Sequence, residues 1–285
     1  MMTQDPRPRI AFQGLAGAYS NMACLAAYPG HEPLACETFE DAFAAVAGGG
    51  AALAMIPVEN SLAGRVADIH HLLPDSGLNI VAEHFQRVEH HLLALPGAAL
   101  EGLRTVHSHV HALAQCRDRI RALRLKPVIE ADTAGAAAAI AKRGEASQAA
   151  IASALAAEIY GLKVLEANIE DAAHNTTRFL VMARAPEEPE PGAGPVITSF
   201  VFKVRHIPAA LYKALGGFAT NGVNMLKLES YMLGGAFTSA QFYCDISGHP
   251  AEEPVRLALE ELGFFTREVK ILGVYPAHPF REQGG

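Results

Sequence analysis

The segment Ala185–Pro195 constrains this chain more than any other. It carries prolines at 186, 189, 191 and 195, glycines at 192 and 194, and acids at 187, 188 and 190. Proline removes a backbone donor, glycine loses the most entropy on ordering, and glutamates resist burial, so the stretch cannot form a core. It reads as a linker over 186–195, and the chain must fold as separate bodies on either side of it. The expected division is a first domain over 1–185, a second over 196–276 and a tail over 277–285.

Before the linker, apolar strand-like runs alternate with helix-like ones. Arg9–Gln13, Leu53–Pro57, Thr105–His109, Pro127–Ile129, Ala149–Ala152 and Lys163–Leu165 read as strands. Ala18–Tyr28, Phe39–Val46, Val110–Leu123 and Thr133–Lys142 read as helices, the last capped by Asp132. Two further apolar runs, Asn79–Ala82 and His91–Leu95, flank a polar stretch that crosses between lobes. Repeated strand and helix predict a mostly parallel α/β domain. After the linker the order changes. Strands over Val196–Val204, Val223–Tyr231, Phe237–Ile246 and Phe265–Val274 interleave with helices over Pro208–Thr220 and Ala251–Leu262. That is the split βαβ pattern of a small independent domain.

A net charge of −7 argues against nucleic acid or an anionic membrane as the main partner, and no run of about 18 apolar residues predicts a membrane span. Cys24, Cys36, Cys116 and Cys244 are scattered without a close pair, so reduced thiols in a reducing compartment are expected. The first nine residues are polar and lack the apolar core of a secretory signal, which makes the cytoplasm the expected location. His107, His109 and His111 alternate as strand ligands would. Ser108 and the following helix break the extended run and no carboxylate is near in sequence, so no metal is expected.

Three polar clusters lie at strand ends, where open α/β sheets bind ligands. His174–Phe179 places Asn175, Thr176, Thr177 and Arg178 at the mouth of an apolar strand that continues to Met182. Arg178 is suited to a carboxylate through paired, charge-assisted hydrogen bonds, and the Thr177 hydroxyl can both donate and accept. Glu59, Asn60 and Ser61 follow the strand ending at Pro57; Asn60 and Ser61 either meet a ligand or cap the helix through Ile69 and Leu72. After Arg9–Gln13 comes a glycine turn, Gly14–Gly17, then a helix in whose first turn Ser20 either caps or binds. This turn lacks the third glycine and later acid of a dinucleotide site, so a nicotinamide cofactor is rejected.

Taken together, these motifs resemble the prephenate dehydratase family with a C-terminal ACT regulatory domain. The resemblance rests on Gly14–Ala23, Ile56–Val66, Ser108–Cys116, His174–Phe179, and in the tail on Pro208–Leu211 and Asn224–Ser230. It implies a two-lobed α/β catalytic domain like a type II periplasmic binding protein, with lobes over roughly 1–80 plus 175–185 and over 81–174, and a ferredoxin-like βαββαβ ACT domain. The implied reaction turns prephenate into phenylpyruvate, carbon dioxide and water without a cofactor. Thr177 would serve the leaving hydroxyl, Arg178 a carboxylate and Phe179 the apolar wall. Asn60, Ser61, Ser108, Gln115, Asn175, Glu59 and Ser20 would surround the substrate. Ala209, Ala210, Leu211, Asn224, Met225, Leu226, Glu229 and Ser230 would bind L-phenylalanine as a feedback effector, in a homodimer or homotetramer paired through ACT domains.

The chain departs from the family's pattern in places. Ala18 stands where a threonine is common, Ala209 where the effector motif has glycine, and Tyr231-Met232 where it has Arg-Pro. Arogenate in place of prephenate, or a binding protein without chemistry, are the alternative readings. No chorismate mutase segment is expected before residue 9.

Overall fold

A computed structural model describes residues 7–66, 69–232 and 240–282. Its elements are β1 (Arg9–Gln13), α1 (Tyr19–Ala27), β2 (Glu32–Cys36), α2 (Phe39–Ala47), β3 (Leu53–Asn60), β4 (Gly64–Arg65), α3 (Ile69–Leu72) and β5 (Asn79–Arg87). There follow β6 (His91–Ala94), β7 (Thr105–Ser108), α4 (Val110–Gln115), α5 (Arg117–Ala122), β8 (Lys126–Ile129), α6 (Thr133–Arg143) and β9 (Gln148–Ala152). The chain continues through α7 (Ala154–Tyr160), β10 (Lys163–Glu166), β11 (Thr176–Ala183), β12 (Val196–Val204), α8 (Ala210–Thr220), β13 (Met225–Met232), β14 (Ala240–Ser247), α9 (Glu253–Phe265) and β15 (Thr266–Pro276). The expected strand over Phe237–Ile246 is seen from Ala240 onward; Phe237–Ser239 lie outside the described residues.

Contacts divide the chain into two compact units, Met1–Val66 with Phe85–Phe179, and Ala67–His84 with Leu180–Gly285. Two sheets carry the first unit. One has the order β2-β1-β3-β11-β5, with β4 on β3; the other has the order β10-β6-β9-β7-β8. These are the two α/β lobes that the family resemblance implies, but the pairing is mixed rather than mostly parallel as the alternation predicts. β1 runs parallel to β2 and β3, and β7 to β8 and β9, whereas β6 is antiparallel to β9 and β10. β9 and β10 reach β6 only after long stretches of chain, so no tight turn sets their sense, and the helical crossovers enforce a parallel sense only between the strands they join.

Local chemistry explains the helix starts. Thr38 and Asp41 form a reciprocal capping box on α2, Asp132 caps α6 and Ser153 caps α7. The single helix expected over Val110–Leu123 is broken at Cys116, whose φ of −119° and ψ of 26° leave the helical region. Asp171 explains the break: its carboxylate accepts from the backbone N–H groups of Arg117 and Asp118, while its own N–H donates to the Gln115 carbonyl. β2 was not foreseen from the sequence, because its half-buried EPLAC run has a proline and little alternation.

In the second unit β12, α8, β13, β14, α9 and β15 build an antiparallel sheet in the order β13-β14-β12-β15, the ferredoxin-like βαββαβ topology. α8 and α9 cover one face around Phe200, Phe202, Phe218, Phe242 and Leu262. Residues 69–84 join this unit although they precede the linker by a hundred positions. The Glu83 side chain, fully covered, accepts both arms of Arg281 at 2.6 and 2.8 Å and the backbone N–H of His278 at 3.1 Å. Lys270 Nζ donates to the Pro74 carbonyl, and the His70 ring meets Tyr231 and Tyr243 edge-on. The linker at 186–195 therefore marks a change of composition, whereas the contacts of residues 69–84 draw the unit boundary elsewhere.

Candidate active site

β3 and β11 are neighbours in one sheet of the first unit, and their polar ends bring Asn60 to Asn175 and Thr177. Ser61 ties the two ends together. Its hydroxyl donates to the His174 carbonyl at 2.9 Å and accepts from Thr176 N–H at 3.0 Å, while its own N–H donates to the Thr176 carbonyl at 2.9 Å. Neither Asn60 nor Ser61 caps the helix after residue 68. Asn60 Oδ1 instead accepts from the N–H groups of Leu62 and Ala63, at 3.0 and 2.8 Å, closing the turn into β4.

That turn dictates the rest. With Oδ1 committed to two backbone donors, the Asn60 amide hydrogens must face the other way, toward Asn175 Oδ1 at 2.7 Å and Thr177 Oγ1 at 3.0 Å. Thr177 Oγ1 is thereby an acceptor on that side, and its single O–H hydrogen is left to donate elsewhere. Asn175, oriented by Asn60, donates from Nδ2 to Gln115 Oε1 at 2.9 Å. Gln115 Oε1 is reached at 2.8 Å by His90 Nε2, whose Nδ1 lies 2.8 Å from Tyr19 Oη. Gln115 Nε2 makes no hydrogen bond among the described residues, so its two hydrogens remain available as donors. One continuous chain of hydrogen bonds thus runs Tyr19–His90–Gln115–Asn175–Asn60–Thr177 across both lobes.

Burial sets the electrostatics here. His90 is 2% exposed, Asn175 1% and Thr177 9%. Desolvation pushes His90 below the ordinary histidine value, partly offset by its bond to Gln115 and by Glu170. Burial, helped by Cys116, Glu170 and Glu89, pushes the Tyr19 hydroxyl well above its ordinary value. A neutral imidazole and a protonated phenol follow, in a site with no thiolate, since burial also raises Cys116. No group of three or more His, Cys, Asp or Glu side chains among the described residues is arranged to hold a metal. His107, the first of the alternating histidines, instead binds Glu130 at 2.9 Å and Thr105 at 3.1 Å.

The remaining anticipated residues lie in different places. Phe179 is buried and, two residues along β11, shares its strand face with Thr177. Arg178, one residue along the same strand, projects to the opposite face of the pleat from Thr177 and is 5% exposed. Glu59 likewise alternates with Asn60 on β3 and sits opposite Arg65 in the β3–β4 register. The Ser108 hydroxyl is committed to the Ile151 carbonyl at 2.6 Å, joining β7 to β9. Ser20 is half-buried inside α1, not at its cap. Ala18 occupies the cap position without a side-chain bond, and Asn21 Oδ1 accepts from Gly17 N–H. Tyr19 and His90 were not singled out from the sequence. The available signal was the His90-His91 pair just before an apolar strand, but Tyr19 lies 71 positions away.

The residues assigned to the effector sit in the second unit. Ala209 precedes α8 in a left-handed conformation (φ 57°), and Ala210 is buried as the first residue of α8, with Leu211 packed against the core. Asn224 accepts from Ser247 N–H through its carbonyl. Met225, Leu226, Glu229 and Ser230 lie on the edge strand β13, where Glu229 pairs with Lys227 at 3.3 Å.

Known proteins resemble this chain over most of its length. The family profile for prephenate dehydratase matches residues 10–187. A bifunctional N-acyl-homoserine lactone acylase/prephenate dehydratase of Komagataeibacter europaeus is 56% identical over 96% of this chain and 98% of its own length. The chloroplastic arogenate dehydratase/prephenate dehydratase 1 of Arabidopsis thaliana is 39% identical, over 95% of this chain and 73% of its length. Among solved structures, a prephenate dehydratase of Arthrobacter aurescens in complex with L-Phe superimposes with a TM-score of 0.85 at 28% identity, covering 94% of this chain and 90% of that one.

Proposed function

The chain belongs to the prephenate dehydratase family of enzymes, and on that premise we propose that it converts prephenate to phenylpyruvate with Thr177 as the donor to the departing hydroxyl. The observation that carries the assignment is the Asn60 amide held against Thr177 Oγ1, which leaves the threonine hydrogen for the substrate. In the reaction the C–CO2 bond breaks and its electron pair enters the ring. The C4–O bond then breaks with its pair leaving on oxygen, and the departing hydroxide becomes water by taking the Thr177 hydroxyl proton as solvent reprotonates the threonine oxygen. Aromatisation supplies the driving force. The protein's task is to hold the dianion, exclude water and meet the charge that develops on the leaving oxygen. A threonine hydroxyl is a weak acid, so its contribution is positional. Gln115 offers its free amide hydrogens to a carboxylate or keto oxygen of the bound substrate. Arg178, on the other strand face, supplies positive potential rather than a paired contact with the group that Thr177 serves. No cofactor takes part.

The second unit acts in this reading as an ACT domain that binds L-phenylalanine and lowers activity. Support comes from its ferredoxin-like topology and from the likeness to a family member solved with L-Phe. The working assembly in this reading is a homodimer or homotetramer paired through these domains, and the enzyme works in the cytoplasm, as a biosynthetic family would. Arogenate is the second substrate to be considered, because the 39% identical relative carries both names.

The test is phenylpyruvate formation from prephenate by the purified protein, with arogenate and an N-acyl-homoserine lactone run in parallel and each assay repeated with millimolar phenylalanine. Turnover of prephenate suppressed by phenylalanine supports both parts. Turnover without suppression removes the effector role, and activity on arogenate alone replaces the substrate.

A further inference from the structure

Building on that reading, we propose that His90 and Tyr19 are positioning residues that lock Gln115 as a donor toward the substrate, by holding the His90 imidazole in its Nε2–H form. The argument starts from what each atom can do. Gln115 Oε1 only accepts, and two groups reach it, Asn175 Nδ2 at 2.9 Å and His90 Nε2 at 2.8 Å. Asn175 cannot turn its amide over, because its Oδ1 takes a hydrogen from Asn60, and Asn60 is fixed by the backbone of its own turn. His90 Nε2 must therefore carry a hydrogen. In a neutral ring Nδ1 is then a bare lone pair, and Tyr19 Oη stands 2.8 Å from it.

Three further contacts hold the ring in place. The Tyr19 hydroxyl also reaches the Glu89 carbonyl at 2.8 Å, so its hydrogen is shared between the neighbouring carbonyl and the ring. Glu170 Oε2 accepts from the His90 backbone N–H at 2.9 Å. The Tyr19 and His90 rings pack edge-on with centroids 5.5 Å apart. The titratable groups around the imidazole are Tyr19, Glu89, Glu170 and His91. The opposite tautomer would set the Nε2 lone pair against Gln115 Oε1 at 2.8 Å and drive the glutamine out of place. The pair thus closes one end of the polar chain as the Asn60 turn closes the other, and Gln115 between them keeps its amide hydrogens outward.

The experiment has two arms. In the first, side-chain 15N NMR of the labelled full chain reads the His90 tautomer directly. Nε2–H is expected in the wild type, and Tyr19→Phe is expected to admit the Nδ1–H form. A wild-type ring protonated on Nδ1 alone overturns the proposal. This arm is read without turnover, so it stands even if prephenate and arogenate are both refused and the proposed reaction falls. In the second arm, kinetics compare His90→Leu, His90→Gln and Tyr19→Phe. Removing one hydrogen bond from Gln115 is expected to raise KM about tenfold in His90→Leu, with kcat kept within about threefold. His90→Gln, which retains an amide donor for Gln115, is expected to recover most of that loss. A purely structural role would lower kcat through the folded fraction and leave KM unchanged. Equal kinetics for the Leu and Gln variants, or wild-type KM in both His90→Leu and Tyr19→Phe, overturns the proposal. Should His90→Leu fail to fold, Tyr19→Phe decides by the same KM criterion.

Discussion

Asn60→Asp changes one atom and inverts the logic of the site. Oδ1 keeps its bonds to the N–H groups of Leu62 and Ala63, so the turn survives. The second oxygen, replacing the amide nitrogen, faces Asn175 Oδ1 at 2.7 Å, Thr177 Oγ1 at 3.0 Å and the Thr176 carbonyl at 3.4 Å. Two of these can respond: Thr177 by turning its hydroxyl hydrogen onto the new carboxylate, and Asn175, no longer held by an Asn60 hydrogen, by turning its amide over at the expense of its bond to Gln115. The donor to the leaving hydroxyl is then consumed, and losing one preorganised donor costs about 10²–10³ in kcat. Stability falls by about 2 kcal/mol, since a half-buried amide bond is lost and oxygens without hydrogens are pressed together. The assay is steady-state phenylpyruvate formation beside urea unfolding. The added negative charge raises KM for an anionic substrate, so kcat at saturation isolates the Thr177 effect. A kcat within about threefold of wild type in a folded variant would refute the claim that Asn60 aims the threonine.

Other consequences are as direct. Arg281→Ala removes the two-armed guanidinium from Glu83, whose side chain is wholly covered, and is expected to cost about 3 kcal/mol in urea unfolding; a loss below about 1 kcal/mol would mean that water replaces it freely. Ala209→Gly relieves a left-handed alanine at φ 57°, a strain of about 1 kcal/mol partly offset by glycine's larger unfolded entropy, so the melting temperature should rise slightly rather than fall. His90, His91 and His109 all sit below their ordinary value of 6.5, chiefly through burial. The unfolded chain binds these protons first, so their contribution to stability is complete above pH 6.5 and is lost as pH falls below it. The urea midpoint should therefore drop between pH 7.5 and 5.5, and His90→Gln should flatten the drop; an unchanged slope in that variant would remove His90 from the account.

The architecture was readable from the sequence because it rests on local rules. Apolar periodicity marked most strands and helices, the capping roles of Asp132 and the turn at Gly14 are short-range, and the proline-rich stretch at 186–195 announced a change of fold class. The clusters holding Asn60, Asn175, Thr177 and Gln115 were visible for the same reason, as polar residues interrupting apolar runs.

What the sequence could not specify were relations between residues far apart in it. Thr177 and Arg178 are adjacent in the chain, yet pleating sends their side chains to opposite faces of β11, which adjacency in sequence does not show. Ser108, polar and at a strand end, spends its hydroxyl on Ile151, 43 positions away. Cys116 lies in a helical pattern, but Asp171, 54 positions from Arg117, supplies the carboxylate that ends one helix and begins the next. Residues 69–84 read as part of the first domain until Glu83, Pro74 and His70 met partners about 170 to 200 positions away. Chain periodicity determines which residues are strand, helix and core. The direction of each hydrogen in the Tyr19-to-Thr177 chain is decided only when the folded backbone brings two fixed ends together, because each amide must satisfy both of its neighbours at once.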